Sequence, residues 1–300
     1  MKRTHARGAL AALAAGVSLA LLAGCSGAPA DGGLAGMLGV TTSVAEARAA
    51  ARDALVPAVS DADLKTPGTL TVGIVSTESA PLVVTGSEGA PGGVDVDTAY
   101  ALADELGLSR VELVTVQSVE AGLSGSCDVV MGARATGDDG YEVLGNYAQS
   151  ALGVFAAPDA GEAGATVSVT TLRSAAVGVQ QSSVSKAALE ELGVSVGQEG
   201  FANLNAAFEA LEEGTVDYVV CDAYAGAYLA TFYGGASFAG TLDEPVSVGV
   251  AVASDGGALA AAVKEAVDEI QSNGVADIAK ARWMGEFPVL SASDRISGAA

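Results

Sequence analysis

The sequence predicts an α/β protein built as two similar lobes, and three observations lead there. Short β-branched apolar runs alternate with helical stretches from residue 69 onward, the pattern of βαβ units and mainly parallel sheets covered on both faces. One phrase occurs twice. Gly-Ser-Cys-Asp-Val-Val at 125–130 returns as Gly-Thr-Val-Asp-Tyr-Val-Val at 214–220, each after an amphipathic helix (VEAGLSG and AAFEALEEG). The length, 300 residues, suits one large or two mid-sized domains.

The elements follow in order. Ser43 to about Leu55 (SVAEARAAARDAL) is Ala-rich with Ser43 placed as an N-cap, so a helix is expected. Pro57 and Pro67 bracket a loop, and Thr69–Val75 (TLTVGIV) is a strand. Asp97–Leu106 has apolar residues at helical spacing and stops at Gly107. Val111–Val116 is a strand, Val119–Leu123 a short helix, and Asp128–Met131 and Leu152–Ala157 are strands. Val177–Gln180 is a strand leading into a helix from near Ser183 to Leu192. Phe208–Leu211 lies in a helix that breaks at Gly214, Val216–Cys221 is a strand, and Ala223–Leu229 is helical. Val246–Val252 is a strand, and Ala258–Asn273 a long amphipathic helix.

Lys2, Arg3, His5 and Arg7 precede a small-residue apolar run from Gly8 to about Leu22. That run is shorter than the ~20 residues a bilayer span needs and fits a signal-peptide core. It ends in Leu22-Ala23-Gly24-Cys25-Ser26, which resembles the lipobox of bacterial lipoproteins; this implies lipidation at Cys25 and a chain tethered to a membrane without crossing it. Residues 26–40 are small and Gly-rich, a flexible tether. The export segment holds three of the 14 bases and none of the 36 acids, leaving 11 bases against 36 acids. Such a chain will not bind nucleic acid or an anionic membrane face by charge. Its one histidine, His5, lies in the export segment, so no His base, Ser–His triad or His metal site is available afterwards. No metal pattern and no phosphate loop is present, and no cofactor is expected. Cys127 and Cys221 fall in different βα units, which argues against a disulfide.

GTLTVGI (68–74), GGVDVDTAYALADELG (92–107), LSGSCDVVMGA (123–133), VGVQQSS (177–183), ALEEGTVDYVVCDAYAGAYL (210–229) and the closing VGVAVASDGGALAAAVKEAVDEIQSNG together resemble extracellular solute-binding proteins of the polar amino-acid ABC-transporter group. The resemblance covers about residues 66–285 in order. It implies a two-lobed, periplasmic-binding-protein-like α/β fold with a two-strand hinge and a ligand cleft between the lobes. The implied organisation is a lipoprotein signal peptide at 1–24, a tether and N-terminal helix at 25–65, lobe one at 66–154 plus 248–290, lobe two at 155–247, and a tail at 291–300. Ligands of open α/β sheets bind beyond the carboxyl ends of the strands.

The resemblance also places a site. The family's ammonium-binding aspartate falls at Asp222, which also reads as the N-cap of the following helix, and the two roles can coexist. Cys221 is either a small wall of the cleft or an apolar filler. Gln180, Ser182 and Ser183 stand where the family has a Gln–x–Gly–Thr turn offering amides and hydroxyls to a carboxylate, or are plain helix caps. The family's carboxylate-clamping arginine would fall at Asp139, Gly140 or Tyr141, none of them a cation. Arg134, beside Ala133 at the end of a buried strand, reads as a relocated clamp, or as a surface arginine paired with Asp138 or Asp139. The aromatic corner of lobe one is replaced by Ser79-Ala80-Pro81-Leu82, so Ser79 and Leu82 are the expected contacts there. The usual Phe–Ser exit is Tyr147-Ala148.

The expected function is a membrane-anchored monomer at the outer face of the bacterial cell membrane. It captures a small polar solute, an amino acid or related carboxylate, by closure of two lobes and passes it to an ABC permease. The alternatives are a sensor or orphan surface protein with altered or lost binding, and a dehydratase-like enzyme on the same scaffold. The enzyme would need a positioned acid, with Glu78, Asp138 and Asp139 the candidates.

Overall fold

The computed structural model describes residues 54–85, 91–134, 140–158, 160, 167–197 and 200–299. Cys25, the helix expected from Ser43, Asp138 and Asp139 lie outside the described residues. Among the described residues no helix is long and apolar enough to cross a membrane.

The chain runs β1 (Thr69–Val75), a small hairpin β2 (Val84–Thr85) and β3 (Pro91–Gly92), α1 (Val94–Glu105), β4 (Arg110–Val116), α2 (Val119–Ser124), β5 (Val129–Arg134) and β6 (Tyr141–Ser150). It continues through β7 (Leu152–Ala156), α3 (Val169–Ser174), β8 (Val177–Gly178), α4 (Val184–Glu191), α5 (Leu204–Glu212), β9 (Tyr218–Asp222), α6 (Ala223–Ala230) and β10 (Ser237–Thr241). It ends with β11 (Val246–Ala253), α7 (Gly257–Ser272) and α8 (Val275–Met284). The long apolar segments form where their periodicity placed them. α1 starts at Val94 rather than Asp97, because Gly93 turns the chain at φ 120 and Asp95 and Asp97 then sit in the first turn, where acids favour the helix dipole.

Two sheets form two lobes: β4-β1-β5-β11-β6 in the first and β10-β7-β9-β8 in the second. The expectation of mainly parallel sheets is corrected, since β11 pairs antiparallel with both β5 and β6, and β7 pairs antiparallel with both β9 and β10. The reason lies in the crossings. β6 leads out of the first sheet directly into β7, and β10 leads back through 242–245 into β11. Outgoing and returning strands run in opposite directions, and neighbours of opposite direction pair antiparallel.

The repeated phrase does the same work in both lobes. Asp128 N–H donates to Thr71 O (2.8 Å), and Thr71 N–H donates back to Asp128 Oδ2 (2.7 Å). Asp217 N–H donates to Ala176 O (2.8 Å), and Ala176 N–H donates back to Asp217 Oδ2 (2.8 Å). Each clip fixes the start of one strand against its parallel neighbour, β5 against β1 and β9 against β8. Asp128 also accepts from Lys65 N–H (2.6 Å).

The second lobe packs around Phe155, whose ring meets Phe208 at 5.6 Å and Phe238 at 5.8 Å. α6 approaches this ring so closely that a Cβ on Gly226 would overlap it. Past α8 the chain crosses a third time. Leu290 is buried and exchanges two hydrogen bonds with the Gln149 side-chain amide (2.6 and 2.7 Å). Ile296, within the expected tail, is buried in the second lobe's core and donates its N–H to Thr241 O (2.9 Å). The tail thus lies along β10, an otherwise open sheet edge. Cys127 and Cys221 are both free and buried.

The two clips differ in burial, Asp128 being 4% exposed and Asp217 lying at the surface. Asp128→Ala leaves the buried Thr71 amide without an acceptor, at about 1–3 kcal/mol, and also strips the part-buried Lys65 amide. Asp217→Ala lets water replace the lost oxygen. Urea unfolding is expected to show the first variant clearly less stable than the second.

Candidate functional site

β5 ends at Arg134 and β9 at Asp222, so the strand ends of both lobes deliver charged side chains to the region between the sheets. The β6–β7 crossing adds Ser150. A cleft cavity of about 420 Å³ lies here, with Ser79, Ser150, Gln180, Ser183, Cys221 and Asp222 on its walls. Five residues expected from sequence therefore share one cavity.

Of the two roles read for Asp222, the structure shows the helix cap. Its Oδ1 caps α6 by accepting from Tyr224 N–H and Ala225 N–H (both 3.0 Å). Its Oδ2 receives the Ser150 hydroxyl only at 3.4 Å. Burial raises the carboxyl's pKa, opposed by the two amides, Arg134 and Ser150. Ser183 caps α4 by accepting from Lys186 N–H (3.2 Å) and still borders the cavity. Cys221 is buried in the cleft wall, and burial followed by the Asp222 charge pushes its thiol well above the ordinary value. It is a small buried side chain on the cavity wall.

Three expected contacts do not line this cavity. Leu82 is 8% exposed and packs in the first lobe's core, because the turn from Pro81 folds down onto α1, accepting hydrogen bonds from Val94 and Asp95 N–H. Ala133 packs with Val116, Cys127, Val130 and Ala251. Neighbouring strand residues face opposite ways, so Ala133 and Arg134 do not share a face. Ser182 is exposed with φ 54, the left-handed turn residue before α4.

Arg134 is the fourth residue outside the cavity walls, and its surroundings explain its position. Its side chain is 40% exposed, and its guanidinium lies 4.0 Å from Glu78 Oε1. Glu78 is largely buried, and burial raises its pKa against the opposing Arg134 charge, with Asp222 raising it further.

Behind this pair lies a group that sequence reasoning missed. Asp95 is fully buried. Its Oδ1 accepts the Tyr147 hydroxyl (2.7 Å), and the same hydroxyl accepts Gly132 N–H (2.7 Å). Asp95 Oδ2 has no hydrogen-bond partner. Gly132, at φ +76, leaves room between the acids, since a Cβ there would stand 3.0 Å from Asp95 Oδ2 and 3.5 Å from the Glu78 carboxyl carbon. Burial raises the Asp95 pKa to about 7, with Glu78 adding to the rise and Tyr147 and Arg134 opposing it. Tyr147, standing at the usual phenylalanine position, supplies the hydroxyl that makes this buried acid tolerable. Its only sequence signal was that substitution. Among the described residues no group of acids and thiols could hold a metal ion.

No protein-family model and no curated protein sequence matches the chain. Solved structures do. An ancestral cationic amino acid solute-binding protein matches with a TM-score of 0.62 at 24% identity, covering 75% of this chain and 100% of that one. The L-cystine solute receptor of Neisseria gonorrhoeae, unliganded and open, matches with a TM-score of 0.61 at 21% identity, covering 72% and 93%. A polar amino acid ABC uptake transporter substrate-binding protein from Streptococcus thermophilus matches with a TM-score of 0.62 at 19% identity, covering 73% and 87%. The chain has the solute-binding-protein fold. In this two-lobed fold, the cavity at Asp222 lies in the crevice at the strand ends.

Two outcomes are expected from the buried acid. Tyr147→Phe strips Asp95 Oδ1 and Gly132 N–H of their partner and costs about 1–3 kcal/mol in chemical denaturation. The second concerns pH. A carboxyl at about 7 in the fold, against an ordinary 3.8, holds its proton more tightly folded than unfolded. Stability therefore falls as pH rises between those values, and this contribution is lost above the upper one. Asp95→Asn keeps an acceptor for Tyr147 and removes the titration. The melting point of the variant relative to wild type is expected to rise from about pH 5 to about pH 8; a constant difference would contradict the raised pKa.

Proposed function

We propose that this protein captures a small zwitterionic solute, an amino acid or a related carboxylate, and delivers it to the permease of an ABC importer. Asp222 takes the ammonium and Arg134 the carboxylate. Closure of the two lobes brings Arg134, from the first, toward the cavity that holds Asp222. The observation that carries this reading is the Asp222 carboxylate, one oxygen committed to capping α6 and the other held only by a 3.4 Å contact to Ser150 inside a polar cleft. Arg134 stands at 4.0 Å from its ion partner, which leaves it free to exchange Glu78 for a solute carboxylate. The named relatives, an ancestral cationic amino acid binder and an L-cystine receptor, support amino acids as the class. The Leu22–Cys25 motif supports a lipid anchor at Cys25 that holds a monomer at the outer face of the membrane.

The test is isothermal titration of the purified protein against the twenty amino acids and small dicarboxylates. Asp222→Asn keeps the helix cap, since asparagine caps as well as aspartate, and removes the charge. It is expected to abolish measurable binding at an unchanged melting point. Arg134→Ala is expected to weaken binding by about 2–5 kcal/mol, the cost of stripping one partner from a desolvated charge pair. Affinity within threefold of wild type would remove Arg134 from the site.

A further inference from the structure

The cleft does not end at the polar walls. A second cavity of about 560 Å³ adjoins it, and Ser79, Gln180, Leu204 and Ala225 line both. Beyond these shared residues its walls are Tyr228, Leu229 and Phe232 with Ala80 and Asn205, and none of its lining side chains is charged. The chain from Asp222 through α6 supplies both ends of this path. Asp222 caps the helix, Ala225, Tyr228 and Leu229 follow on one helix face at spacings of three and four, and Phe232 stands in the turn just past the end of α6. At about 1.5 Å of rise per residue the stripe leads about 9 Å from Asp222 to Tyr228, whose ring meets that of Phe232.

The apolar end of the path is open. Phe232 is 66% exposed and Val184, at the first turn of α4 beside the cleft, is 75% exposed. The Tyr228 and Phe232 rings stand edge to face at 5.0 Å, an arrangement that presents a formed aromatic wall. Single exposed apolar residues need no explanation. Several gathered on one cavity continuous with a charged cleft form an amphipathic path, with charge at one end and aromatic surface at the other.

We propose that the captured solute is an α-amino acid with a bulky apolar or aromatic side chain, its charged head at Asp222 and its side chain in the adjoining cavity against Tyr228 and Phe232. This rests on the capture reading above. A small side chain leaves the second cavity to water, and a charged one loses hydration there without meeting a partner. The solute class thus differs from that in the name of the ancestral cationic amino acid binder, although the fold is shared.

Calorimetry of the purified protein with L-phenylalanine, L-tryptophan, L-alanine and L-arginine tests this, repeated on Phe232→Ala. Phe232 is 66% exposed, so Phe232→Ala is expected to fold, and its melting point, measured alongside, checks that the Tyr228 wall is retained. Phenylalanine and tryptophan are expected to bind at least tenfold more tightly than alanine or arginine. Phe232→Ala is expected to remove most of that advantage and leave alanine within twofold. Alanine or arginine binding as tightly as phenylalanine, or a Phe232→Ala variant with the preference intact, overturns this inference and leaves the capture reading standing. Failure of all four to bind while another amino acid or a dicarboxylate binds also overturns this inference alone. Silence across those wider solutes as well overturns both.

Discussion

The reciprocal aspartate clip is the constraint on which the rest of the architecture depends. In each lobe an aspartate at the entrance of a strand exchanges two hydrogen bonds with a residue of the neighbouring parallel strand, Thr71 in β1, or just ahead of it, Ala176 before β8. Register on a sheet is a matter of single residues, and a slip of one turns every side chain to the opposite face. With Asp128 and Asp217 pinned, β5 must end with Arg134 and β9 with Asp222 at the rims that face each other. The polar cleft is a consequence of those two anchors at the opposite ends of the strands.

Most regular elements were legible because their apolar residues repeat at the period of the structure they form. β6 was not. Its sequence, Tyr-Glu-Val-Leu-Gly-Asn-Tyr-Ala-Gln-Ser, alternates poorly and contains Gly145 and Asn146. It is a strand because β11, about a hundred residues later, offers it a partner. The short β10 escaped notice for the same reason, its partner β7 lying about eighty residues earlier. Sheet direction was also misjudged, since alternation of strand and helix says nothing about a strand that leaves for another lobe.

In the site, Asp222 was legible from its place after a strand and before a helix. Leu82 and Ala133, expected from the positions of the family's contacts, pack into the first lobe's cores instead of lining the cavity. The pairing of Asp95 with Tyr147 joins residues 52 apart, and no local pattern announces it. That pairing ties the start of α1, the end of β5 and the middle of β6 behind Arg134. The first lobe thus presents its cation against a backing of two acids with raised pKa values, Glu78 and Asp95. The charge there is more nearly balanced than a count of carboxyl groups suggests.

The third crossing has a mechanical meaning. A pair of connecting strands bends readily and leaves its two halves free to twist about the line between them. Here the segment around Leu290 is laced to the outgoing strand through both atoms of the Gln149 amide, and its far end is rooted in the other lobe by Ile296. Three connections laced side by side tie the two halves more closely than two would, and any bend between them would have to carry the Leu290 segment along with the outgoing strand.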